Sequence, residues 1–312
     1  QALLQAAADG RLVSSEDLDR EFDRLVRSEA GKKNLGHFLE GWLEVEDLPG
    51  RAKDETQVQF PIELRQEMLE ETRLLFLDVF ESGGGVPELF RTDHTFLTQR
   101  LRQYYQLWGD APETHVRAEL EGRRARGLLA HGSVLSRHAL AFSSSPVMRG
   151  FLVRERLLCE ELPAPPAGVD TNITPPDGAP QTTRERYIEH SQNSACNGCH
   201  QLMDPIGFAF EHYDGFGRYR DQENGLPIDA TGTVIRGSDG DVALDGLDSL
   251  SEFLAESEQV SACFERYLSY YAYGIDDCST EAIASGAMAG GRSLEAVLRA
   301  TVQAPHFRFR RE

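Results

Sequence analysis

The chain has 312 residues, 40% of them hydrophobic and 27% charged, a length for two or three domains around a sizeable core and a composition that excludes disorder along its whole length. A formal net charge of −19 makes nucleic acid and anionic lipid poor partners and would steer a cationic protein partner towards it, although acidity serves solubility on its own account. No apolar run approaches the roughly 20 residues that a membrane-spanning helix needs.

In chain order, the opening QALLQAAADG has neither a methionine nor a basic-then-apolar leader, as expected of a mature or excised start. The first half then reads as helices. Ser14 or Ser15 can cap a segment with Leu18, Phe22, Leu25 and Val26 on one face. A second segment holds Leu35, Phe38, Leu39, Trp42 and Leu43. A third opens at Pro61, carries Leu64, Met68, Leu75, Phe76, Val79 and Phe80, and stops at Gly83-Gly84-Gly85. A fourth is expected to carry Phe96, Leu97, Leu101, Tyr104, Tyr105 and Trp108. These stripes read as core-forming faces rather than as an aromatic cofactor box.

Residues Glu161 to Pro180 hold six prolines and two glycines, which forbid helix and predict an extended linker or strap. Asn172-Ile173-Thr174 within it matches a glycosylation acceptor, a tripeptide common by chance. Thr182 and Glu185 can form a capping box for a short helix through Tyr187 and His190. That helix leads into CNGCH. The stretch MDPIGFAFEHYDGFGRYRD reads as a structured loop with short helical turns, and LPIDATGTVI as a short strand or hairpin. Asp239, Asp241 and Asp245 lack EF-hand spacing and read as a solvated turn. Leu250, Phe253 and Leu254 mark one helix. Val260, Cys263, Phe264, Tyr267, Leu268 and Tyr271 mark another, which stops at Gly274, and a last one spans roughly Leu294 to Val302. No nucleophile elbow, P-loop or dinucleotide fingerprint occurs.

Cys196-Asn197-Gly198-Cys199-His200 is the C-x-x-C-H pattern of c-type haem attachment. Two thiols three positions apart can each add to one vinyl group of a single haem, and the adjacent His200 then offers its imidazole to the iron as proximal ligand. Ile206, Phe208, Phe210, Tyr213, Phe216 and Tyr219 follow and are expected to wall the ring off from water. A zinc ribbon needs a second ligand pair that Cys159, Cys263 and Cys278 do not supply. A thioredoxin-type pair needs a βαβ setting. A plain Cys196–Cys199 disulfide would leave His200 unexplained.

The residues HGSVLSRHALAFSSSPVMRGFLVRERLLC and TTRERYIEHSQNSACNGCHQLMDPIGFAFEHYDGFGRYRDQENGLPIDATG resemble the large secreted cytochrome c-like proteins of planctomycetes and myxobacteria. The most specific part is C-x-x-C-H-x-x-M-D-P-x-G-F. Those proteins are strings of domains of unknown function, one similar to residues 10–120 here, one to 125–225 and one to 228–310. The resemblance implies a haem and export, with further N-terminal domains in the same precursor, rather than any one substrate. His190 stands where the family pattern also has a histidine, and His138 in a segment where it often has one; His190 is the first choice as second axial ligand and His138 the next, with a vacant sixth site also open. Met203 is expected on the same side of the ring as His200. Met148, His212 and His306 lie where the pattern requires no ligand.

Cys263 and Cys278, separated by one helix end and a turn, are expected to form a disulfide worth about 3 kcal/mol, which leaves Cys159 without a partner in this chain; two buried thiols are the alternative. The whole reads as a mainly α protein: a helical domain over 1–124, a cytochrome c-like haem-bearing segment with a short hairpin over 125–227, including the Pro-rich linker 161–180, and a helical C-terminal cap over 228–312. The expected function is electron transfer to a redox partner protein, in the periplasm or outside the cell. A haem peroxidase or oxidase with an open or displaceable sixth site is the alternative, and a scaffold with a vestigial motif is a third reading.

Overall fold

A computed structural model describes residues 2–56, 58–120, 126–162, 180–191, 194–237, 240–274 and 279–308, without the side chains of 189–191, 194–196, 279–282, 306 and 308. The protein is mainly α-helical. The first unit is built from α1 (Ala2–Ala8), α2 (Ser15–Val26), α3 (Glu29–Trp42), α4 (Ile62–Glu81), α5 (Val86–Arg91) and α6 (Gln99–Tyr104), with the antiparallel pair β1 (His94–Leu97) and β2 (Val116–Glu119). Ser14 begins α2 with a reciprocal capping box to Asp17, and Ser28 caps α3 by accepting from Gly31 N. Pro61 precedes α4, whose Leu64, Met68, Leu75, Phe76, Val79 and Phe80 are all buried; Gly83 closes it in the left-handed region.

The expected fourth helix divides. Phe96 and Leu97 belong to β1, in register with Arg117 and Val116, and only Gln99–Tyr104 is helical. Thr98 explains the break: its hydroxyl accepts from Leu101 N, so it caps a new helix rather than continuing one. Trp108 lies beyond the end of α6 and is 94% exposed, not in the core.

The chain then passes through α7 (Gly132–Arg137), α8 (Pro146–Phe151), a π-helix at Leu152–Leu157, α9 (Thr183–Ser191) and α10 (Ser194–Gly207). The linker expected over 161–180 falls almost entirely outside the described residues, as does Asn172. The MDPIG stretch is not loop: α10 continues through it to Gly207, with Pro205 inside the helix. Two short antiparallel pairs follow, β3 (Gln222–Glu223) with β4 (Leu226–Pro227), and β5 (Thr231–Val234) with β6 (Val242–Asp245). The chain closes with α11 (Gly246–Glu256), α12 (Glu258–Tyr273), α13 (Ser279–Ala289), α14 (Leu294–Gln303) and α15 (Pro305–Arg308). Gly274, at φ 70°, ends α12 as expected.

The C-terminal helices return to the first unit. Phe264 of α12 meets Phe38 and Trp42 of α3 edge-on at 5.3 and 5.0 Å, and Arg299 of α14 pairs with Asp19 and Asp23 of α2. One continuous cluster of buried apolar side chains therefore runs from Phe22 to Ala304.

Cys263 is bonded to Cys159, not to Cys278, with the Cα atoms 5.4 Å apart. Cys263 sits near the start of α12 and is buried on the face that meets the end of the π-helix, where Cys159 turns the chain at φ 52°. At about 1.5 Å per residue, the helix carries the chain some 15 Å away from Cys263 before Gly274 lets it turn. Cys278 lies outside the described residues.

Candidate functional site

Cys196, Cys199 and His200 stand at positions i, i+3 and i+4 of α10, so one face of one helix carries both thiol positions and the imidazole. Thr182 and Glu185 start the approach with the expected capping box: Thr182 N donates to the Glu185 carboxylate at 2.7 Å, and Glu185 N to the Thr182 hydroxyl at 3.2 Å. Asn197 and Gly198 are exposed, Cys199 and His200 are half-buried, and Met203, Asp204 and Ile206 are buried. The helix thus begins at the surface and ends in the core.

Three glycine contacts fix its inner half. A Cβ on Gly150 of α8 would lie 2.1 Å from Met203 O; one on Gly207 would lie 2.0 Å from Pro146 O; one on Gly232 of β5 would lie 2.1 Å from Pro205 O. Alpha8 and α10 consequently cross backbone to backbone. Pro205 has no N–H to offer Gln201 O. Arg154 of the π-helix donates to the neighbouring Leu202 O at 3.1 Å and to Ile235 O at 2.8 Å, tying α10 to the strand side.

His200 Nδ1 donates to Asp204 Oδ2 at 2.9 Å, and these side chains are only 15% and 5% exposed. The imidazole is therefore oriented from its Nδ1 side, and Nε2 is the nitrogen placed to ligate a metal. Among the described residues no group of three His, Cys, Asp or Glu converges as an all-protein metal cage. The donor chemistry fits a haem instead, which asks of the chain only two thiols and one or two axial ligands.

Of the residues expected to wall such a ring, Ile206, Phe208, Phe210, Tyr213 and Phe216 are buried and Tyr219 is half-buried, but their described ring contacts are with other parts of the protein. Phe208 lies under the Arg184 guanidinium at 4.5 Å, Phe210 near Arg149, Tyr213 edge-on to Tyr219 at 5.7 Å, and Phe216 edge-on to Phe60 at 5.5 Å. Ile206 is fully buried at the base of α10, among the residues of the common core.

His190 lies on α9 beside the motif, and its side chain is outside the description. His138 is engaged elsewhere: its Nε2 donates to Leu43 O at 2.8 Å in the interior, and burial pushes its pKa down to about 3. His212 stacks on Tyr219 and donates from Nδ1 to Arg220 O, and Met148 is half-buried on α8. Asp239 is outside the described residues; Asp241 accepts from Arg236 N at the mouth of the β5–β6 pair.

Three features escaped sequence reasoning: Asp204, Arg149 and Lys53. Asp204 was legible in principle, as a carboxylate one helical turn after a histidine. Arg149 is fully buried on α8 and donates to four carbonyls, those of Leu135, Phe210, Tyr213 and Asp214, at 2.7–3.2 Å. Its only signal was a charge inside the apolar run PVMRGFLV. Burial lowers its pKa to about 10, against the pull of Glu211, and Glu211 is itself pushed up by burial. Lys53 crosses from the first unit, Nζ donating to Leu140 O and Gly215 O at 2.9 Å, and burial with Arg149 and Arg51 nearby brings it down to about 7.

Two family models match the chain. Residues 125–223 match PSCyt3, "Protein of unknown function (DUF1588)", and residues 1–107 match PSD4, "Protein of unknown function (DUF1592)". Both families are typical of planctomycete cytochrome c-like proteins. No curated protein and no solved structure matches.

Proposed function

We propose that this chain is a c-type haem protein of the periplasm or extracellular space that passes electrons to a redox partner protein. The observation that carries the reading is the single helix face bearing Cys196, Cys199 and His200, with His200 oriented from behind by a buried carboxylate. Cys196 and Cys199 would hold the haem through two thioether bonds, each thiol S–H adding across one vinyl C=C with nothing oxidised or lost. A haem so held supplies a one-electron iron couple. His200 offers Nε2 as proximal ligand, and Asn197 and Gly198 leave the outer side of the turn open. His190, on the helix that feeds the motif, is the proposed sixth ligand. The disulfide supports an oxidising compartment. A cationic partner suits the net charge of −19, and further domains N-terminal to this chain are proposed from the resemblance alone.

The test is expression with a c-type haem maturation system, followed by denaturing mass spectrometry and an optical spectrum. The chain is expected to be heavier by one haem, and C196A/C199A to keep the bare mass. A wild type with bare mass and no Soret band overturns the reading. Ready binding of carbon monoxide or cyanide, unchanged by H190A, moves the peroxidase or oxidase alternative ahead of the carrier.

A further inference from the structure

We infer that Asp204 is a positioning residue that holds His200 in one tautomer and ring orientation and strengthens its donation to iron, setting a low reduction potential. The inference rests on the haem reading above. Its geometry stands on the protein alone. His200 Nδ1 and Asp204 Oδ2 are 2.9 Å apart, one turn apart on α10, in a place where the carboxylate is 5% exposed.

Asp204 has little freedom to leave. The carbonyl of Met203 before it is pressed on Gly150 of α8, and the carbonyl of Pro205 after it on Gly232 of β5. Arg154 adds a clamp at Leu202 O. The backbone that carries the carboxylate is thus pinned on two sides by contacts that no side chain can relax. This rigidity distinguishes Asp204 from an ordinary surface pair at i, i+4, which is loosely held and readily replaced by water.

A metal-bound imidazole whose second nitrogen donates to a carboxylate is more basic than one that donates to a neutral carbonyl. A charge-assisted bond of this kind is also shorter and stronger, the more so away from water. Added negative character on the ligand favours ferric over ferrous iron, so the couple shifts to lower potential. A merely structural Asp204 would leave the potential where it was.

The experiment compares wild type, D204N and D204E as mature haem-loaded chains by mass and by redox titration. All three are expected to gain one haem. D204N is expected to shift the equilibrium at least tenfold towards the reduced form, about 59 mV for one electron, and D204E to return most of that shift. D204N with one haem and a potential unchanged within twofold overturns the inference while leaving the haem reading intact. A wild type with no haem overturns the haem reading instead. Should D204N fail to fold, the wild type decides alone. The iron–imidazole stretch of its ferrous form after carbon monoxide photolysis is expected above that of a haem protein whose proximal imidazole donates to a backbone carbonyl, and a value at or below that reference overturns the inference.

Discussion

Burial acts on His138 far more strongly than its hydrogen bond to Leu43 does, and the result is a side chain whose protonation is put off to about pH 3 in the folded state, from an ordinary 6.5. Between those values the unfolded chain binds a proton that the folded chain refuses. The stability linked to His138 is therefore complete above about pH 6.5 and drains away as pH falls, with a slope approaching about 1.4 kcal/mol per pH unit. H138Q keeps a donor for Leu43 O without a titrating ring, so its unfolding free energy should fall less steeply with acid. Denaturant titrations at about pH 6 and pH 4 check this, and equal losses in both chains would refute it. Arg149 shows a different use of burial. Its guanidinium satisfies four loop and helix carbonyls at once, which a sequence presents only as one charge in an apolar run.

Helix ends were legible from sequence: a serine cap at the start of α2, the Thr182–Glu185 capping box and the stop at Gly274 all form, and the structure adds Asp17 as the partner of Ser14. The motif's shared face was legible too, because helical periodicity alone puts i, i+3 and i+4 together. What was not legible depends on distant chain. Strand β1 has helix-like spacing of Phe96, Leu97 and Leu101, and only pairing with Val116–Glu119 reveals it. The run to Gly207 through Pro205 is held by contacts with α8 and β5 that no local pattern records. Two glycines, one at this crossing on α8 and one on the exposed outer half of α10, carry opposite expectations. G150A puts a methyl into Met203 O and should cost about 2–3 kcal/mol, while G198A meets open space on an exposed helical turn and should stabilise by about 0.5–1 kcal/mol. Thermal unfolding of the two variants decides; G150A as stable as the wild type would mean that α8 and α10 do not cross this closely.

At the scale of the whole molecule, the Cys159–Cys263 bond joins the end of the π-helix to α12, and α12 in turn packs on Phe38 and Trp42 of the first unit. It closes a loop across a sequence separation of 104 residues, for which chain-entropy arguments give about 4.7 kcal/mol. C263S should lower stability by a large part of that. Non-reducing peptide mapping should recover a fragment containing residues 159 and 263, and a fragment joining 263 to 278 would contradict the structure. The pairing also bears on assembly order. Cys196 and Cys199 lie between the two bonded sulfurs and emerge earlier in synthesis than Cys263. In an unstructured chain, ring-closing statistics favour the nearer thiols, so Cys159 meets Cys196 before it meets its native partner. The native bond is thus the slow product of an intramolecular competition, and it is reached by exchange among the sulfurs or by removing the two motif thiols from the contest first.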